Sequence, residues 1–428
     1  MSAKDRLAVG IDFGTTNTAV GLSDEAGGVR LLSLPGPGGA PATTWRTVLF
    51  FEEGLPPTAG APAIDRFLTV DGDGRLVQSI KSHLSSASFS RTMILGRTYT
   101  LEALIAVFLR AVRGAAAAGG GVDLGGRAVI GRPVRYWGAR DAEDEARALS
   151  RMRAALDLAG FSDVAFEYEP IAAALRYAAT LDHDELILVA DFGGGTSDFS
   201  LARVGPHITP GDGSAILATG GLAIGGDSFD ARVIDALVAP ALGLGTHYRD
   251  ELGARTAVPA GLFGRLRRWH HLSFLKEPAT LRLLERMEHG AEAPRELGRL
   301  LQVVRDELGL PLHRAVERGK VALSAETSAA LEIDDLDLRL PLQRADFDRW
   351  IVPEREAIDQ TIARVLGDGN VSAGDVDTVF ATGGSSLVPA VRQLLAARFG
   401  ADKLAGGEEL TSVAWGLAAR ARQLFGEP

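Results

Sequence analysis

The apolar positions near the start of the chain form two short runs around a polar turn. Residues 7–13 and 18–22 are mainly hydrophobic, and the sequence GTTN at residues 14–17 separates them. Two short apolar runs that flank a turn rich in glycine and threonine are typical of a β-hairpin. Asp12 stands near the end of the first predicted strand. The pattern therefore predicts a hairpin with an acidic residue beside its turn.

The same pattern returns near the middle of the chain. Residues 185–192 and 198–204 are predicted strands, and GGGTS at residues 193–197 is the turn between them. Asp191 occupies the position that Asp12 has in the first hairpin. A pattern repeated at such a long interval indicates duplicated domains rather than a solenoid. We therefore expect two similar lobes that face one another.

The remaining hydrophobic periodicity predicts further helices and strands. Apolar residues with helical spacing predict helices at residues 101–112, 141–159, 170–177, 229–242, 281–287, 297–308, 312–323, 349–366, 388–399 and 411–425. A strand at residues 376–381 leads into TGGSS at residues 382–386. The small residues 115–126 are expected to form a linker or surface loop. Strands that alternate with helices indicate an α/β fold with a mixed sheet in each lobe.

The two predicted lobes divide the chain near residue 182. Lobe I is residues 1–182, with a core of 1–35 and 122–182 and an insertion at 36–121; lobe II is residues 183–404, with a core of 183–226 and 330–404 and a mostly helical insertion at 227–329. We expect residues 405–428 to form a C-terminal helix that returns to lobe I.

Composition narrows the classes of function. The chain has 428 residues and no cysteine, which excludes disulfides, thiolate metal ligands and cysteine nucleophiles. The net charge of −10 argues against a nucleic-acid partner. The sequence contains no run of about 18 apolar residues that could span a membrane. The first ten residues also lack the apolar core of a signal peptide. We therefore expect a cytoplasmic protein with no membrane contact.

The residue types of the two hairpin turns suit a bound polyphosphate. Glycine lets backbone amides approach a bulky anion, and threonine hydroxyl groups are additional donors. An aspartate at the end of each strand is placed to hold a hydrated Mg²⁺ beside phosphates. An ordinary turn uses the same residue types and is the alternative for each hairpin taken alone. Together the hairpins favour a nucleotide held between two lobes.

Five motifs, in order over almost the whole chain, carry a family resemblance. They are VGIDFGTTN at residues 9–17, EPIAAA at 169–174, DFGGGTSD at 191–198, GGDSFD at 225–230 and TGGS at 382–385. The sequence resembles the nucleotide-binding domain of the 70-kilodalton heat-shock chaperone family, within the actin-like ATPase superfamily. The resemblance implies an α/β, two-lobed actin-like fold of duplicated ribonuclease-H-like domains with an inserted subdomain in each lobe. Because the family's linker, peptide-binding domain and lid have no counterpart here, we expect a truncated bacterial relative.

The resemblance implies ATP or ADP with Mg²⁺ as cofactors and assigns residues to them. Asp12 and Asp191 correspond to the aspartates that organise Mg²⁺ through water. The implied nucleotide-binding positions in the glycine-rich motifs are Gly14, Thr15, Thr16, Asn17, Gly193, Gly194, Gly195, Gly226, Gly383, Gly384 and Ser385.

The resemblance also implies catalytic positions. Lys81 corresponds to the lysine placed against the γ-phosphate and the attacking water, where its charge would stabilise the transferring phosphoryl group. Thr196 would lie near the γ-phosphate, and Asp191 and Asp198 would help to orient the water. Glu169 corresponds to the carboxylate that couples the nucleotide to the hinge between lobes. It is also a helix N-terminal charge, and both interpretations can hold.

Three residues of one predicted helix are implied to face the base or ribose. Glu317, Lys320 and Ser324 have the spacing of one helix face. A plain surface pair of glutamate and lysine is the alternative interpretation.

The sequence also departs from the family pattern. Typical members hold adenine between two arginines, and the corresponding positions here are Val321 and Leu387. The family's late aspartate is replaced by Leu410. Aliphatic side chains can cover a purine, but they lose the cation–π contact. We therefore expect weaker or less base-selective nucleotide binding.

The function expected is that of a chaperone-like ATP-binding protein. Slow Mg²⁺-dependent hydrolysis of ATP to ADP and phosphate would drive a lobe closure that a protein partner or client reads. One alternative is a nucleotide-switched interaction module with negligible hydrolysis. Another is an actin-like protein that forms filaments. A sugar or acyl kinase of the same superfamily would need a second substrate pocket with a general base, and no residues for one are identified.

Overall fold

The computed structural model describes residues 7–70, 74–208, 215–267, 277–405 and 411–426. The strands in these residues are β1 (Ala8–Phe13), β2 (Asn17–Ser23), β3 (Val29–Leu31), β4 (Leu34–Pro35), β5 (Pro41–Ala42), β6 (Thr44–Arg46), β7 (Val48–Phe51), β8 (Thr58–Ala59), β9 (Arg75–Gln78), β10 (Arg91–Ile94), β11 (Arg97–Thr100), β12 (Arg127–Arg132), β13 (Asp163–Tyr168), β14 (Glu185–Phe192), β15 (Ser197–Val204), β16 (Ile216–Leu222), β17 (His247–Arg249), β18 (Arg255–Ala257), β19 (Ser328–Ile333), β20 (Leu338–Gln343), β21 (Thr378–Thr382) and β22 (Leu404–Ala405).

The helices in the same residues are α1 (Ala61–Thr69), α2 (Leu101–Gly120), α3 (Ala142–Leu158), α4 (Glu169–Ala178), α5 (Gly226–Val233), α6 (Ala239–Ala241), α7 (Ala260–Phe263), α8 (Pro278–His289), α9 (Pro294–Arg305), α10 (Gly309–Ala325), α11 (Arg344–Trp350), α12 (Val352–Asp368), α13 (Pro389–Phe399) and α14 (Ser412–Phe425). Helices and strands alternate over most of the chain, so the predicted mixed α/β fold class is confirmed.

The chain forms two compact units. The first unit comprises residues 1–226, 357–387 and 391–428, and the second comprises residues 227–356 and 388–390. Both glycine-rich hairpins lie in the first unit. The predicted lobes and insertions are a different division of the chain, and they stay a prediction.

Two sheets of the first unit share one topology. Their strand orders are β13-β12-β1-β2-β3, with β6 also paired to β2, and β22-β21-β14-β15-β16. In each sheet the first strand of a hairpin, β1 or β14, pairs antiparallel with the second strand and parallel with β12 or β21. A third antiparallel strand, β3 or β16, then follows the hairpin. The repeat seen in the two hairpins is thus present in the whole strand order of the two sheets.

The central strands of both sheets are almost continuously apolar because they are buried. In β1 the side chains of Val9, Ile11 and Phe13 are at most 1% exposed, and in β14 those of Ile187 and Val189 are fully buried. Strands that are covered on both faces carry hydrophobic residues without alternation. The acidic residue near the end of each strand is therefore carried by a rigid, buried element.

Helix α14 lies against β1, β2 and α4, and glycines allow the close approach. A Cβ atom on Gly10 of β1 would overlap the backbone of Leu417 and Ala418. A Cβ atom on Gly416 of α14 would overlap the carbonyl oxygen of Ala172 in α4. Because the obstacle is backbone in both cases, no side-chain rotation can relieve it.

We expect Gly416→Ala to lower the free energy of unfolding by about 1–3 kcal/mol, the usual effect of adding a methyl group to a tightly packed interior. Gly114 in α2 is the matched control, because a Cβ atom there meets nothing within 4 Å. Gly114→Ala should stabilise the protein by up to about 1 kcal/mol, since alanine is the better helix former. Urea unfolding followed by tryptophan fluorescence measures both. Equal effects of the two substitutions would contradict the close packing.

The second unit is mainly helical. Its helices α8 and α9 pack together, and α10 packs on the hairpin of β19 and β20. Phe229 and Phe347 form an edge-to-face aromatic pair with ring centroids 6.3 Å apart in its core. The helices predicted at residues 281–287, 297–308 and 312–323 correspond to α8, α9 and α10.

One prediction from local pattern was wrong, and one strand was missed. Residues 115–120, expected in a linker, are the last residues of α2, which ends at Gly120. Alanine is the strongest helix former, so the alanine run extends the helix. Strand β16 (Ile216–Leu222) was not predicted, because its small residues lack a strand pattern. In the described part of the chain, no helix combines the length and hydropathy that a membrane span needs.

Candidate functional site

The turns of the two hairpins lie next to each other in the first unit. A Cβ atom placed on Gly195, in the turn between β14 and β15, would lie 3.9 Å from Oγ1 and Cγ2 of Thr15, in the turn between β1 and β2. Burial and Glu169 are the main causes that raise the pKa of Asp12, and the charge of Asp191 adds to them. The fold therefore brings the two acidic, glycine-rich turns into one cluster.

Two further backbone segments abut the second hairpin. The amide of Gly226, at the start of α5, donates to the carbonyl oxygen of Gly193 over 3.0 Å. Gly383 follows β21 with a φ angle of +81°, and its added Cβ would overlap the carbonyl oxygen of Phe192. That left-handed conformation and the tight contact both favour glycine. Of the remaining glycine-motif residues, Gly14, Thr16 and Gly194 lie in the hairpin turns, Asn17 begins β2, and Gly384 and Ser385 lie in the 3-10 turn after β21.

Lys81 and Glu169 form the central ion pair of the cluster. Lys81 Nζ donates to Glu169 Oε1 over 2.6 Å, and each side chain is 9% exposed. Lys81 lies in a 3-10 turn, Ile80–His83, and Glu169 is the first residue of α4, followed by Pro170. A carboxylate at a helix N-terminus is stabilised by the backbone dipoles, so Glu169 has two favourable interactions.

Carboxyl groups outnumber positively charged groups in this cluster, where Asp12, Asp191, Asp198 and Glu169 act on one lysine, Lys81. Burial raises the pKa of Asp12 well above its ordinary value, and Glu169 raises it further. Burial and Glu169 likewise raise the pKa of Asp191 to about 8. Burial alone would lower the pKa of Lys81, but the charges of Glu169 and Asp12 outweigh it and raise that pKa. A cation added beside Asp12 and Asp191 would relieve their repulsion.

Asp198 is buried, and hydrogen bonds fix its side chain. Its side chain is 1% exposed, and its Oδ1 accepts a hydrogen bond from the backbone amide of Val134 over 3.1 Å. Burial, followed by the charge of Glu169, raises its pKa to about 7, although the hydroxyl of Thr196 donates to it and opposes that rise. Asp198 therefore links the second hairpin to the segment after β12.

The residues implied to face a base lie in α10 of the second unit. Lys320 Nζ is 2.8 Å from Asp230 Oδ1, and both side chains are largely buried. Glu317 and Ser324 are half-buried on the same helix. Lys320 thus has a structural partner, Asp230. Asp230 belongs to the motif at residues 225–230, but this pairing was not predicted from the sequence.

The aliphatic replacements are exposed, each within its own unit. Val321 is 61% exposed in the second unit, and Leu387 is 38% exposed at the end of a 3-10 turn, Gly384–Leu387, in the first. Leu410 lies outside the described residues.

The donor set fits a hydrated cation better than a fully protein-ligated one. No group of three or more His, Asp or Glu side chains in the described ranges is arranged to ligate a metal directly. Asp12 and Asp191 are partly exposed and repel other carboxylates. Mg²⁺ commonly keeps several waters and binds through one or two carboxylates together with phosphates.

Comparison with known proteins identifies the family of the chain. The family model described as Hsp70 protein matches residues 75–242 and 304–427, which is more than half of the chain. The chain belongs to the Hsp70 family. Family membership implies the actin-like ATPase fold, in agreement with the duplicated mixed sheets.

Two curated Hsp70 relatives show how much of a longer protein this chain covers. It is 26% identical over 440 residues to the chaperone protein DnaK of Thermosipho africanus, and 27% identical over 438 residues to that of Thermosipho melanesiensis. Each comparison covers 100% of this chain but only 60% and 61% of the relative. The chain thus spans about three-fifths of the length of these Hsp70 proteins.

Two groups that interact with this cluster were not predicted from the sequence. The Val134 amide bound to Asp198 is a backbone group, so no side-chain pattern could reveal it. Tyr136 lies near Lys81, and burial raises its pKa to about 12. An aromatic residue two positions beyond that amide is a weak signal, because such residues are usually core.

Proposed function

We propose that the chain binds a nucleoside triphosphate together with Mg²⁺ and hydrolyses it slowly. Membership of the Hsp70 family favours ATP as that nucleotide. The observation that carries this proposal is the cluster of Asp12, Asp191, Asp198 and the ion pair of Lys81 and Glu169 beside two adjoining glycine-rich turns. Such turns supply backbone amides to phosphate oxygens. The excess of carboxylates supports a cation beside those phosphates.

Each side chain has a task in this proposal. Asp12 and Asp191 hold the waters of Mg²⁺, which supplies charge neutralisation at the phosphates when it is bound. Lys81 donates to the γ-phosphate and stabilises the charge that spreads over it during transfer. Thr196 and Asp198 orient the attacking water. Glu169 keeps the lysine ammonium fixed, since their ion pair is nearly inaccessible to solvent.

Lobe closure is part of the same proposal. Asp198 and the Val134 amide join the second hairpin to the segment after β12. A nucleotide that contacts both hairpins would favour the closed arrangement, in which Asp198 and the Val134 amide lie close together. A protein partner or client that binds only one arrangement would then bind in response to the nucleotide.

A nucleotide switch with negligible turnover is the second candidate. One oxygen of Asp198 already accepts a backbone hydrogen bond, and the side chain is buried, so it is poorly placed to accept a proton from water. The switch would need the same phosphate and cation contacts. A measured single-turnover rate that Lys81→Ala does not lower would favour the switch over the hydrolase.

Isothermal titration calorimetry tests nucleotide binding directly. We expect one binding site that takes either ATP or ADP. Chelation of Mg²⁺ should weaken the affinity for ATP at least about tenfold, or about 1.4 kcal/mol. The carboxyl groups of the cluster are the reason, because phosphate charge that no cation neutralises would repel them. ATP affinity that is absent, or equal with and without Mg²⁺, would rule out this function.

A further inference from the structure

The segment that carries Lys81 has a backbone that its own residues do not favour. Ser79 immediately precedes the 3-10 turn Ile80–His83 and has φ +54° and ψ 29°, in the left-handed region. A non-glycine residue in that region keeps its conformation only when its surroundings enforce it. The local hydrogen bond from the Ser82 hydroxyl to the Ser79 carbonyl, 2.6 Å long, stabilises the turn itself. It does not fix the turn relative to the sheets.

One guanidinium group of α3 holds the carbonyls that follow the turn. Arg151 Nη1 donates to the carbonyl oxygens of Ser86, Leu84 and His83 at 2.7, 3.2 and 3.4 Å. Its Nε lies 3.4 Å from Glu102 Oε1 in α2, and the side chain is 14% exposed. The arginine is therefore fixed by α2 on one side and holds the carbonyls of three of the four residues 83–86 on the other.

A second arginine, one helical turn earlier in α3, holds the remaining carbonyl of residues 83–86. Arg147 Nη1 donates to the carbonyl oxygen of Ser85 over 2.8 Å. The hydroxyl of Ser85 donates in turn to the carbonyl oxygen of Trp137 over 2.6 Å. Residues four apart lie on the same face of a helix, so the two guanidinium groups act on one loop. Every carbonyl from residue 83 to 86 is thus held from α3.

We propose that Arg151 is a positioning residue that fixes the Lys81 turn against the nucleotide site, with Arg147 in support. The inference rests on the proposed role of Lys81 at the γ-phosphate. Lys81 reaches Glu169 from a turn of four residues, so a shift of residues 83–86 moves the ammonium. Arginine suits this task because its rigid fork is always charged and offers several donors, whereas lysine offers one mobile point charge.

The test uses Arg151→Gln and Arg151→Lys, with Arg113→Gln as the matched control. Arg113 also donates to two loop carbonyls, those of Gly125 and Gly160, and is partly buried, but its loops do not carry Lys81. We expect Arg151→Gln to lower the single-turnover rate of ATP hydrolysis about tenfold, or about 1.4 kcal/mol. ADP affinity should stay unchanged, Arg151→Lys should retain part of the rate, and Arg113→Gln should retain all of it.

A double-mutant cycle separates positioning from general stability. In a Lys81→Ala background, Arg151→Gln should cause no further loss of rate, because the group that it positions is gone. An equal loss in both backgrounds, or equal effects of Arg151→Gln and Arg113→Gln, would overturn the inference. If Arg151→Gln melts below the assay temperature, the comparison is made with Arg151→Lys.

The result also distinguishes this inference from the proposed function. A parent protein that does not bind Mg²⁺ and nucleotide refutes the proposed function itself. A parent that binds but does not turn over is assayed by its ratio of ATP to ADP affinity, which Arg151→Gln should reduce by weakening the γ-phosphate contact. An unchanged ratio would overturn the role of Arg151 while leaving nucleotide binding intact.

Discussion

Lys81→Ala should slow single-turnover ATP hydrolysis by about 10²–10³-fold, the usual effect of removing one preorganised donor to a transition-state charge. The ammonium of Lys81 is buried among acidic side chains, and the pKa shift keeps it protonated at every physiological pH. Neighbouring side chains cannot replace it, because the groups that act on it are Glu169, Asp12 and Tyr136. Rapid mixing of protein with a limiting amount of labelled ATP measures the rate.

The same substitution should destabilise the apo protein. It leaves Glu169, whose side chain is 9% exposed, without its partner, and breaking a buried pair in this way costs about 3–5 kcal/mol. The double variant Lys81→Ala/Glu169→Gln should regain most of that stability, since the orphaned charge is removed. It should not regain hydrolysis.

Lys403 supplies the control for loss of a partly buried lysine. Its Nζ donates to the carbonyl oxygens of Gly374 and Val376, away from the acidic cluster. Lys403→Ala should leave hydrolysis unchanged. Recovery of hydrolysis in the Lys81→Ala/Glu169→Gln variant, or an equal loss in Lys403→Ala, would show that Lys81 has no role in the chemistry.

Asp191→Asn should stabilise the apo protein and weaken its binding of Mg²⁺ with nucleotide. The carboxylate is buried and is repelled by Glu169 and Asp198, so removing its charge should raise the free energy of unfolding. One pKa unit corresponds to about 1.4 kcal/mol, and partial exposure reduces the effect to about 1–3 kcal/mol. A carboxylate that holds a metal through water typically contributes about 10–100-fold to affinity, which asparagine should lose.

The stabilisation should depend on pH in a definite direction. Asp191 has an ordinary pKa of 3.8 and a folded pKa of about 8, so the folded chain binds its proton more tightly than the unfolded chain. Its ionisation therefore lowers stability as pH rises between those two values. The gain from Asp191→Asn should be large at pH 8 and nearly absent at pH 4. Melting temperatures across that range measure it.

Asp359→Asn provides the opposite case. Asp359 Oδ1 is 2.7 Å from Arg398 Nη2, an attractive pair at the surface. Its substitution should lower stability by up to about 1 kcal/mol and leave nucleotide binding unchanged. If Asp191→Asn also lowers stability at pH 8, the repulsion inferred for the acidic cluster is wrong.

Much of the fold followed from local sequence pattern. The two hairpins were predictable because glycine and threonine interrupt buried apolar strands at equivalent points. Helix α3 was predictable because Asp141 caps its first turn, where its side chain accepts from the Asp144 amide, and because apolar residues recur on one face. The extension of α2 through residue 120 was not predicted, since its alanine run carries no amphipathic pattern.

The candidate site residues were only partly predictable. The residue types of the glycine motifs indicated phosphate and cation chemistry, and their order along the chain indicated the family. The pairing of Lys320 with Asp230 was missed because 90 residues separate them, and no periodicity links such positions.

The sequence by itself determined the repeated hairpins, the residue types at their turns and the family to which the chain belongs. Only the tertiary structure decided that Lys81 pairs with Glu169 across 88 residues, that the Val134 amide binds Asp198, and that arginines of α3 bind the carbonyls of residues 83–86. The physical reason is the same for all three. A hydrogen bond or ion pair between buried groups depends on which surfaces the packed sheets and helices bring together, whereas turn and strand preferences act between neighbours along the chain.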